Sequence, residues 1–264
     1  MPELALIPRD GRRFRVGVWL APQHTSVDRL RAAWRAVDGL GVDSIWLWDH
    51  FFPLTGDPDG ANFEGWTLLS AMAVETHNAQ IGVLVTNHDF RNPDLLADMA
   101  RTVDHLSDGR LVLGLGAGWF ERDYHEYGYT FRDGRGRAAA LEHSILRVKA
   151  RLQRLAPRPR GPLPLLIGGD GKQVVLRLVA EHAAIWNTMA WRFEEGNPVV
   201  DKWCARLGRD PENIERSCFV TEASHLDQLE DLLDAGARHI ILQLRDPFPL
   251  ELVERLLQAA EPAS

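Results

Sequence analysis

Cysteine is scarce in this sequence, and long apolar runs are missing. The 264 residues include two cysteines, Cys204 and Cys218, whose spacing matches neither a CxxC motif nor a metal-ligand pattern. A chain of this length buries a core large enough to fold without disulfides. No apolar run reaches the length of a membrane span, and the start, MPELALIPRDGRRF, lacks the apolar core of a secretory signal. We therefore expect a cytoplasmic protein that does not enter membranes.

The chain also has fewer basic than acidic residues. The chain has 30 basic and 37 acidic residues, so its formal net charge is −7 at pH 7. A field of this sign does not favour nucleic acid or an anionic membrane surface, although a local site can still bind a small phosphate-bearing ligand. The histidines show no spacing typical of a metal site. We expect a small-molecule partner, no nucleic acid and no bound metal.

No domain-scale linker interrupts the chain, along which strand and helix patterns alternate. The strand signals are short apolar runs, and the helix signals are apolar residues at helical spacing with caps such as Ser26 and Asn92. One helix is predicted to stop at Gly208, and the last to open at Asp246 and Pro247. The predicted strands are 15–21, 44–48, 81–86, 111–116, 165–168, 184–188, 214–220 and 239–244.

Eight strand–helix pairs in about 250 residues indicate an α/β fold, the (β/α)8 TIM barrel, with residues 1–264 as a single domain. An open, doubly wound sheet is the alternative, because strands such as IGVLV and RLVLGLG are apolar at nearly every position, as they are in both folds. The count of eight favours the barrel. Barrel enzymes carry their chemistry at the carboxyl ends of the strands, where the βα loops gather.

Polar and glycine residues stand at five of the predicted strand ends. Any single one is compatible with ordinary turn chemistry, but a barrel brings all five to one rim. The five sets, in chain order, are 49–50, 86–88, 116–121, 168–171 and 186–188.

The first of these sets is Asp49 followed directly by His50. A nearby carboxylate fixes the tautomer of an imidazole and favours its protonated form. The two residues are therefore a candidate acid–base unit, with a capping pair in a turn as the alternative.

Two glycine-rich segments follow strands. GLGAGWFERDYHEYGYTF, residues 114–131, has the spacing GxGxG rather than the GxGxxG of a dinucleotide site. Alternate residues of a strand face the same side, so its glycines let another backbone or a flat ligand approach. IGGDG, residues 167–171, lies between a strand and a helix start, where backbone N–H groups favour an anion such as phosphate. A tight turn is the alternative for this segment.

Three segments resemble the luciferase-like flavin and deazaflavin oxidoreductases, a family of (β/α)8 barrels, and most closely the branch that uses coenzyme F420. They are GLGVDSIWLWDHFFPL, IGVLVTNHDFRNPDLLADMARTVDHLSDGRLVLGLGAGWFERDYHEYG and PLLIGGDGKQVVLRLVAEHA. With the eightfold pattern they cover most of the chain. The resemblance implies an F420-dependent oxidoreductase that exchanges hydride with a small organic substrate, and a family in which homodimers are common.

The resemblance also implies site residues. Asp49 and His50 match a pair beside the reactive carbon of the deazaflavin, with His50 the candidate for proton transfer or charge stabilisation. A non-prolyl cis peptide is expected near Val83 and Leu84. The positions implied to contact the cofactor are Thr86, Asn87, Gly118, Trp119, Gly168, Gly169, Asn187 and Thr188.

Three positions depart from the family pattern. Trp119 stands where some sugar-phosphate-oxidising members have a glutamate proton donor, and Leu54 stands where they have a tryptophan over the ring. Ala184 and Ile185 replace the usual Asp-Gly pair. The first two departures argue against the sugar-phosphate reaction. An FMN-dependent monooxygenase of the same family and a non-catalytic cofactor carrier are the alternative functions.

Overall fold

The computed structural model describes residues 11–221 and 223–262, which form a closed barrel of parallel strands surrounded by helices. The strands of these residues are β1 (Arg15–Leu20), β2 (Ser44–Leu47), β3 (Gln80–Val83), β4 (Thr86–Asn87), β5 (Leu111–Gly116), β6 (Leu165–Gly168), β7 (Ile185–Met189), β8 (Glu215–Val220) and β9 (His239–Leu244). Their order is β3-β2-β1-β9-β8-β7-β6-β5-β4. Because β3 also pairs with β5, the sheet closes on itself.

β3 and β4 are two parts of one barrel strand. Both pair with β5, since Ile81 lies opposite Leu111 and Thr86 lies opposite Leu115. Leu84 and Val85 separate the two parts, and the peptide bond between them is cis. The nine strands of the described chain therefore occupy eight barrel positions. This confirms the predicted (β/α)8 barrel.

The helices surround this barrel, and three of their predicted ends are confirmed. The Ser26 hydroxyl accepts the Arg29 N–H at 3.3 Å, and the Asn92 side chain accepts the Asp94 N–H at 2.9 Å. Gly208 ends its helix with a φ of 67°. The helices are α1 (Val27–Gly39), α2 (Gly65–Glu75), α3 (Pro93–Leu106), α4 (Glu121–Glu126), α5 (Gly134–Leu152), α6 (Val175–His182), α7 (Ala190–Leu207), α8 (Leu229–Asp234) and α9 (Leu250–Ala260).

Two helical features differ from the prediction. The last helix begins at Leu250 rather than at Asp246 and Pro247, because Phe248 has a φ of 56°, which is incompatible with a right-handed helix. The short α4 was not predicted, since six residues are too few to show a helical period.

The strands are buried on both faces, which explains their continuous apolar runs. One core lies between the barrel and its helices and contains residues such as Trp34 and Leu69. A second core fills the barrel interior and includes Trp19, Trp46 and Trp48. The barrel is therefore a packed body whose open surface lies at its two ends.

The amino-terminal end of the barrel interior is occupied by a buried polar network. Glu215 accepts hydrogen bonds from Arg15 at 2.7 Å and from His239 Nδ1 at 2.5 Å. The other ring nitrogen of His239 lies 2.8 Å from the Ser44 hydroxyl. Although burial acts in the opposite direction, His239 and Arg15 hold the pKa of Glu215 below its usual range. Burial lowers the pKa of His239. The paired charges of Arg15, Glu215 and His239 stabilise the amino-terminal end of the barrel. Barrel enzymes carry their chemistry at the opposite end.

None of the helices in the described part of the chain is long and apolar enough to cross a membrane.

Candidate active site

The strand registers bring four of the predicted site residues to one level at the carboxyl end of the barrel. Asn87 lies opposite Gly116, Gly116 lies opposite Gly168, and Gly168 lies opposite Asn187. His50 follows β2 at the same end of the barrel. The barrel therefore gathers, from one loop and four strands, residues that are up to 137 positions apart in the chain.

His50 is hydrogen-bonded to a carboxylate, but the carboxylate is not that of its sequence neighbour. Nδ1 of His50 lies 2.7 Å from Oδ2 of Asp123, whose other oxygen accepts the Phe51 N–H at 3.0 Å. The Asp123 side chain is 1% exposed and the His50 side chain 20%. The pairing expected between Asp49 and His50 is thus formed by Asp123, which lies in α4.

Asp49 has a different set of partners. Both of its carboxylate oxygens accept hydrogen bonds from Arg91, at 2.7 and 2.8 Å, and one also accepts the Asn87 N–H at 2.9 Å. Arg91 also donates a hydrogen bond to Glu64 at 2.7 Å, and Glu64 caps α2 by accepting the Thr67 N–H. Burial raises the pKa of Asp49, and Arg91 opposes that shift. This cluster ties the loop after β2 to the loop after β4, and Asp49 has no hydrogen bond to His50 in the described structure; that Asp49 is catalytic stays a prediction.

The predicted contacts at β4 are buried within the protein. The Thr86 hydroxyl accepts the indole N–H of Trp66 at 3.2 Å. The Asn87 amide is hydrogen-bonded to the Tyr124 hydroxyl at 2.8 Å, and burial raises the pKa of Tyr124 to about 12. Gly118 packs against both of these groups with a φ of 73°, and a Cβ there would collide with the Tyr124 hydroxyl. These residues support the loop after β5; that they contact a cofactor stays a prediction.

The alternating glycines of β5 make room for another backbone segment. A Cβ on Gly114 would meet the carbonyl oxygen of Val83, and a Cβ on Gly116 would meet the Val85 side chain. Val85 would also be 2.8 Å from a Cβ on Gly168. The segment 83–85, with the cis peptide expected near it, therefore lies directly against these glycines. The partly exposed Leu84 and Val85 form a floor at the barrel mouth.

The IGGDG turn leads into α6, whose first turn has no side-chain cap. Gly169 adopts a φ of 129°, and its N–H is donated to the Asn187 carbonyl at 2.9 Å. The Asn187 side chain donates to the Ser217 hydroxyl at 2.9 Å, and Thr188 is buried beside it. The Gly169 N–H is thus already used within the protein, and so is the Leu176 N–H in the first turn of α6, which is donated to the Gly171 carbonyl at 3.1 Å.

Two cations flank this turn. Lys172 pairs with Glu195, and Arg192 pairs with Asp170 at 3.3 Å. All four side chains are about half exposed and line a cavity of about 300 Å³. Ion pairs between exposed side chains are worth little, so an anion that enters the cavity can take either cation from its partner.

Aromatic rings enclose the His50 imidazole. Trp48, Trp119 and Phe120 each meet it close to edge-on, with ring centroids 5.5 to 5.6 Å away. The Trp119 side chain is 61% exposed at the rim. The space above His50 therefore has a largely apolar wall.

The loop from β2 to α2 is fastened over this side of the mouth. Gln23 binds the Thr55 hydroxyl at 2.7 Å and accepts the Leu54 N–H at 2.8 Å. Asn62 donates to the His50 carbonyl at 2.7 Å. These contacts hold the backbone of the His50 region in place from the loop side.

Sequence reasoning missed two residues of the site, Asp123 and Arg91. Neither stands at a predicted strand end, and each meets its partner across a long stretch of chain, 73 residues for Asp123 and 42 for Arg91. Asp123 is buried next to Tyr124 within the run after GxGxG, and no pattern in the sequence distinguished it from the acidic residues Glu121 and Glu126 of the same run. Among the described residues, no three His, Cys, Asp or Glu side chains are arranged to hold a metal ion.

The model of the luciferase-like monooxygenase family matches residues 13–262. The F420-dependent glucose-6-phosphate dehydrogenase of Amycolatopsis mediterranei is 30% identical over 173 residues, in a match that covers 58% of this chain and 51% of that protein. The 4-hydroxyprotoasukamycin monooxygenase of Streptomyces nodosus subsp. asukaensis is 27% identical over 263 residues, covering 86% of this chain and 70% of that protein. The chain thus matches about half the length of the first relative.

The fold is also that of a solved structure. An F420-dependent secondary alcohol dehydrogenase in complex with an F420–acetone adduct superposes with a TM-score of 0.84 at 14% identity. The match covers 95% of this chain and 100% of that one. At this identity the likeness concerns the fold.

Proposed function

Because the chain belongs to the luciferase-like monooxygenase family, we propose that it is an F420-dependent oxidoreductase that exchanges hydride between the deazaflavin and a small organic substrate. The observation that carries the proposal is the combination, at one barrel mouth, of an apolar floor, a histidine at the rim and a glycine-rich turn flanked by Lys172 and Arg192. A relative and a structural neighbour of this family are named as F420-dependent enzymes.

The floor of the mouth fits a flat ring. Leu84 and Val85 are partly exposed there, and glycine at positions 116 and 168 lets this segment sit deep in the barrel. Met189 borders the same interior core. Apolar and close-packed groups of this kind are what a ring system needs beneath it.

The cavity beside the IGGDG turn fits an anionic tail. The start of α6 has no side-chain cap and carries the positive end of the helix dipole, and Lys172 and Arg192 supply cations beside it. Both F420 and FMN carry a phosphate, so this end of the site accommodates either. The floor and the rim of the barrel mouth therefore select between F420 and FMN.

The bound deazaflavin supplies a ring carbon that gives or accepts hydride. The protein positions the deazaflavin and the substrate and polarises them. His50 lies at the rim, where its imidazole can exchange a proton with the substrate, and the aromatic wall gives that space an apolar side. Trp119 occupies the place of the glutamate proton donor found in some relatives, which leaves His50 as the proton-exchanging group of this wall.

Cofactor titration tests the proposal against the FMN-dependent alternative, which the similarity to 4-hydroxyprotoasukamycin monooxygenase favours. We expect the apoprotein to bind one equivalent of F420 and to bind FMN far more weakly. Stoichiometric FMN binding with no F420 binding would contradict the proposal.

Turnover separates an enzyme from a cofactor carrier. The F420-loaded protein is screened against simple alcohols and carbonyl compounds by deazaflavin absorbance, and His50→Ala is compared with His125→Ala, a control at an exposed histidine of α4. We expect loss of turnover only in His50→Ala. Tight F420 binding without turnover in the wild type would favour the carrier.

A further inference from the structure

The loop after β5 brings a buried carboxylate to the rear of the His50 ring. Asp123 is held from two sides: one oxygen accepts the Phe51 N–H at 3.0 Å, and the other lies 2.7 Å from Nδ1 of His50. Resting on the proposed function, we propose that Asp123 is the positioning residue that holds His50 in its Nδ1–H tautomer, so that Nε2 exchanges a proton with the substrate.

The hydrogen-bond directions determine the tautomer. An ionised carboxylate accepts hydrogen bonds and donates none. Oδ1 of Asp123 accepts from a backbone N–H, so the carboxylate is oriented with Oδ2 towards the imidazole. Nδ1 must then carry the hydrogen. In the neutral ring this leaves the lone pair on Nε2, the nitrogen away from Asp123.

Asp49 is not available for this role. Arg91 binds both of its oxygens, and the Asn87 N–H adds a third hydrogen bond. A carboxylate engaged in this way holds loops together and has no hydrogen bond to the neighbouring imidazole in the described structure. Asp49 therefore holds the backbone at His50 in place, whereas Asp123 holds the imidazole ring of His50.

The ring can turn little about its side-chain bonds. Trp48, Trp119 and Phe120 each pack against it with ring centroids 5.5 to 5.6 Å away, and the hydrogen bond to Asp123 fixes which edge faces that carboxylate. In the described residues, Nε2 has no hydrogen-bond partner within the chain, and the His50 side chain is 20% exposed. Nε2 is therefore the atom presented to a molecule in the mouth.

The proton exchange balances with the hydride exchange. When a substrate is oxidised, for example an alcohol to a carbonyl, it loses one hydride, which would go to the oxidised deazaflavin of the proposed function, and one proton, which the Nε2 lone pair takes. The imidazolium so formed is stabilised by the negative charge of Asp123. In the reverse direction, Nε2–H returns the proton to the substrate oxygen. The carboxylate stays ionised throughout, as in a catalytic triad.

The ¹⁵N NMR signals of the histidine rings in the cofactor-free protein test the tautomer directly. His50→Ala identifies the His50 signals by their loss. We expect a protonated Nδ1 and an unprotonated Nε2 in the neutral wild-type ring. A hydrogen on Nε2 of the neutral wild-type ring would overturn the proposal, and this measurement needs no variant of Asp123.

Asp123→Asn tests the consequence. The Asn oxygen can still accept the Phe51 N–H, which turns its NH2 group towards Nδ1 and favours the opposite tautomer. We expect the hydrogen to move to Nε2 and kcat with F420 to fall 100-fold or more, with KM little changed. Asp123→Glu, which keeps the acceptor, should restore the Nδ1–H tautomer and part of kcat.

Asp49→Asn is the comparison variant for the tautomer: Asp49 has no hydrogen bond to the imidazole in the described structure, so its replacement should leave the hydrogen on Nδ1. An unchanged tautomer and kcat in Asp123→Asn, or a tautomer change confined to Asp49→Asn, would overturn the proposal. Failure to bind F420 would instead remove the proposed cofactor while the NMR result still decides the role of Asp123.

Discussion

Val85 lies so close to Gly168 that a Cβ atom on the glycine would be 2.8 Å from Cγ1 of the valine. The same side chain blocks a Cβ on Gly116 of the neighbouring strand. The glycines of two strands and one valine thus form a single packing unit beneath the barrel mouth. Any added methyl group must move Val85, and with it the floor of the proposed ring site.

Gly168→Ala should lower the free energy of unfolding by about 1–3 kcal/mol, the usual cost of overpacking a well-filled interior. Urea unfolding measures this. Val85→Ala in the same chain should recover part of the loss, because it removes the colliding methyl groups. Gly39→Ala is the control, since it has open space and an ordinary backbone conformation. Equal effects at both glycines would refute the packing unit.

Asp49→Asn should weaken the clamp between the two loops. Removing one partner of a buried ion pair leaves the Arg91 charge poorly compensated, at a cost of about 3–5 kcal/mol, with Glu64 retaining part of the pairing. Asp94→Asn, in an exposed pair with Arg147, should cost about 1 kcal/mol or less. Thermal or urea unfolding distinguishes them, and similar losses in the two variants would contradict the clamp.

Lys172→Ala combined with Arg192→Ala should raise the Kd for F420 about tenfold or more, because charge-assisted hydrogen bonds to an anion are worth about 1.5–3 kcal/mol. A deazaflavin analogue without the phosphate tail should bind both proteins equally. Arg147→Ala with Arg151→Ala, which alters exposed ion pairs of α5, is the control. Equal weakening of the intact and tail-less cofactors would show that the turn does not bind the tail.

Trp119→Ala should raise the substrate KM about 2- to 10-fold, the worth of one aromatic contact. Its side chain is 61% exposed, so stability should change little. Tyr127→Ala is the control: this ring is 57% exposed but stacks on Phe51 instead of meeting His50. Steady-state kinetics with the substrate found in the turnover screen measures the KM. An unchanged KM in Trp119→Ala would exclude this aromatic wall from substrate binding.

The network at the barrel base should make stability fall as the pH decreases. The folded protein holds the pKa of His239 below its ordinary 6.5 and that of Glu215 below 4.5. The unfolded chain therefore takes up a proton at His239 below about pH 6.5 and at Glu215 below about pH 4.5, while the folded chain binds both more weakly. Each group contributes a slope of at most about 1.4 kcal/mol per pH unit.

Urea unfolding between pH 8 and pH 4 measures this slope. The contribution of the network is complete only well above pH 6.5, where neither His239 nor Glu215 differs in protonation between the two states. His239→Gln should reduce the slope between pH 6.5 and pH 5.5 relative to the wild type, whatever its effect at pH 8. Identical slopes would contradict the role of His239.

The sequence by itself determined the strand–helix alternation, most element boundaries and the end of the barrel at which the predicted site residues gather. Strand and helix signals depend on residues a few positions apart, so Leu111–Gly116 and His239–Leu244 were predicted to the residue. The rule that barrel chemistry lies at strand ends singled out His50 and the IGGDG turn. Both needed only local patterns and the count of eight.

Only the tertiary structure decided which groups meet. Asp49 is next to His50 in the chain but pairs with Arg91, while Asp123, 73 residues away, reaches the imidazole. Successive residues of an extended chain point to opposite sides, so neighbours in sequence rarely share a hydrogen bond between their side chains. Likewise, Val85 rather than a ligand fills the space beside the alternating glycines, because the interrupted third strand lies against them. Such contacts follow from barrel closure, which brings together segments that no local pattern relates.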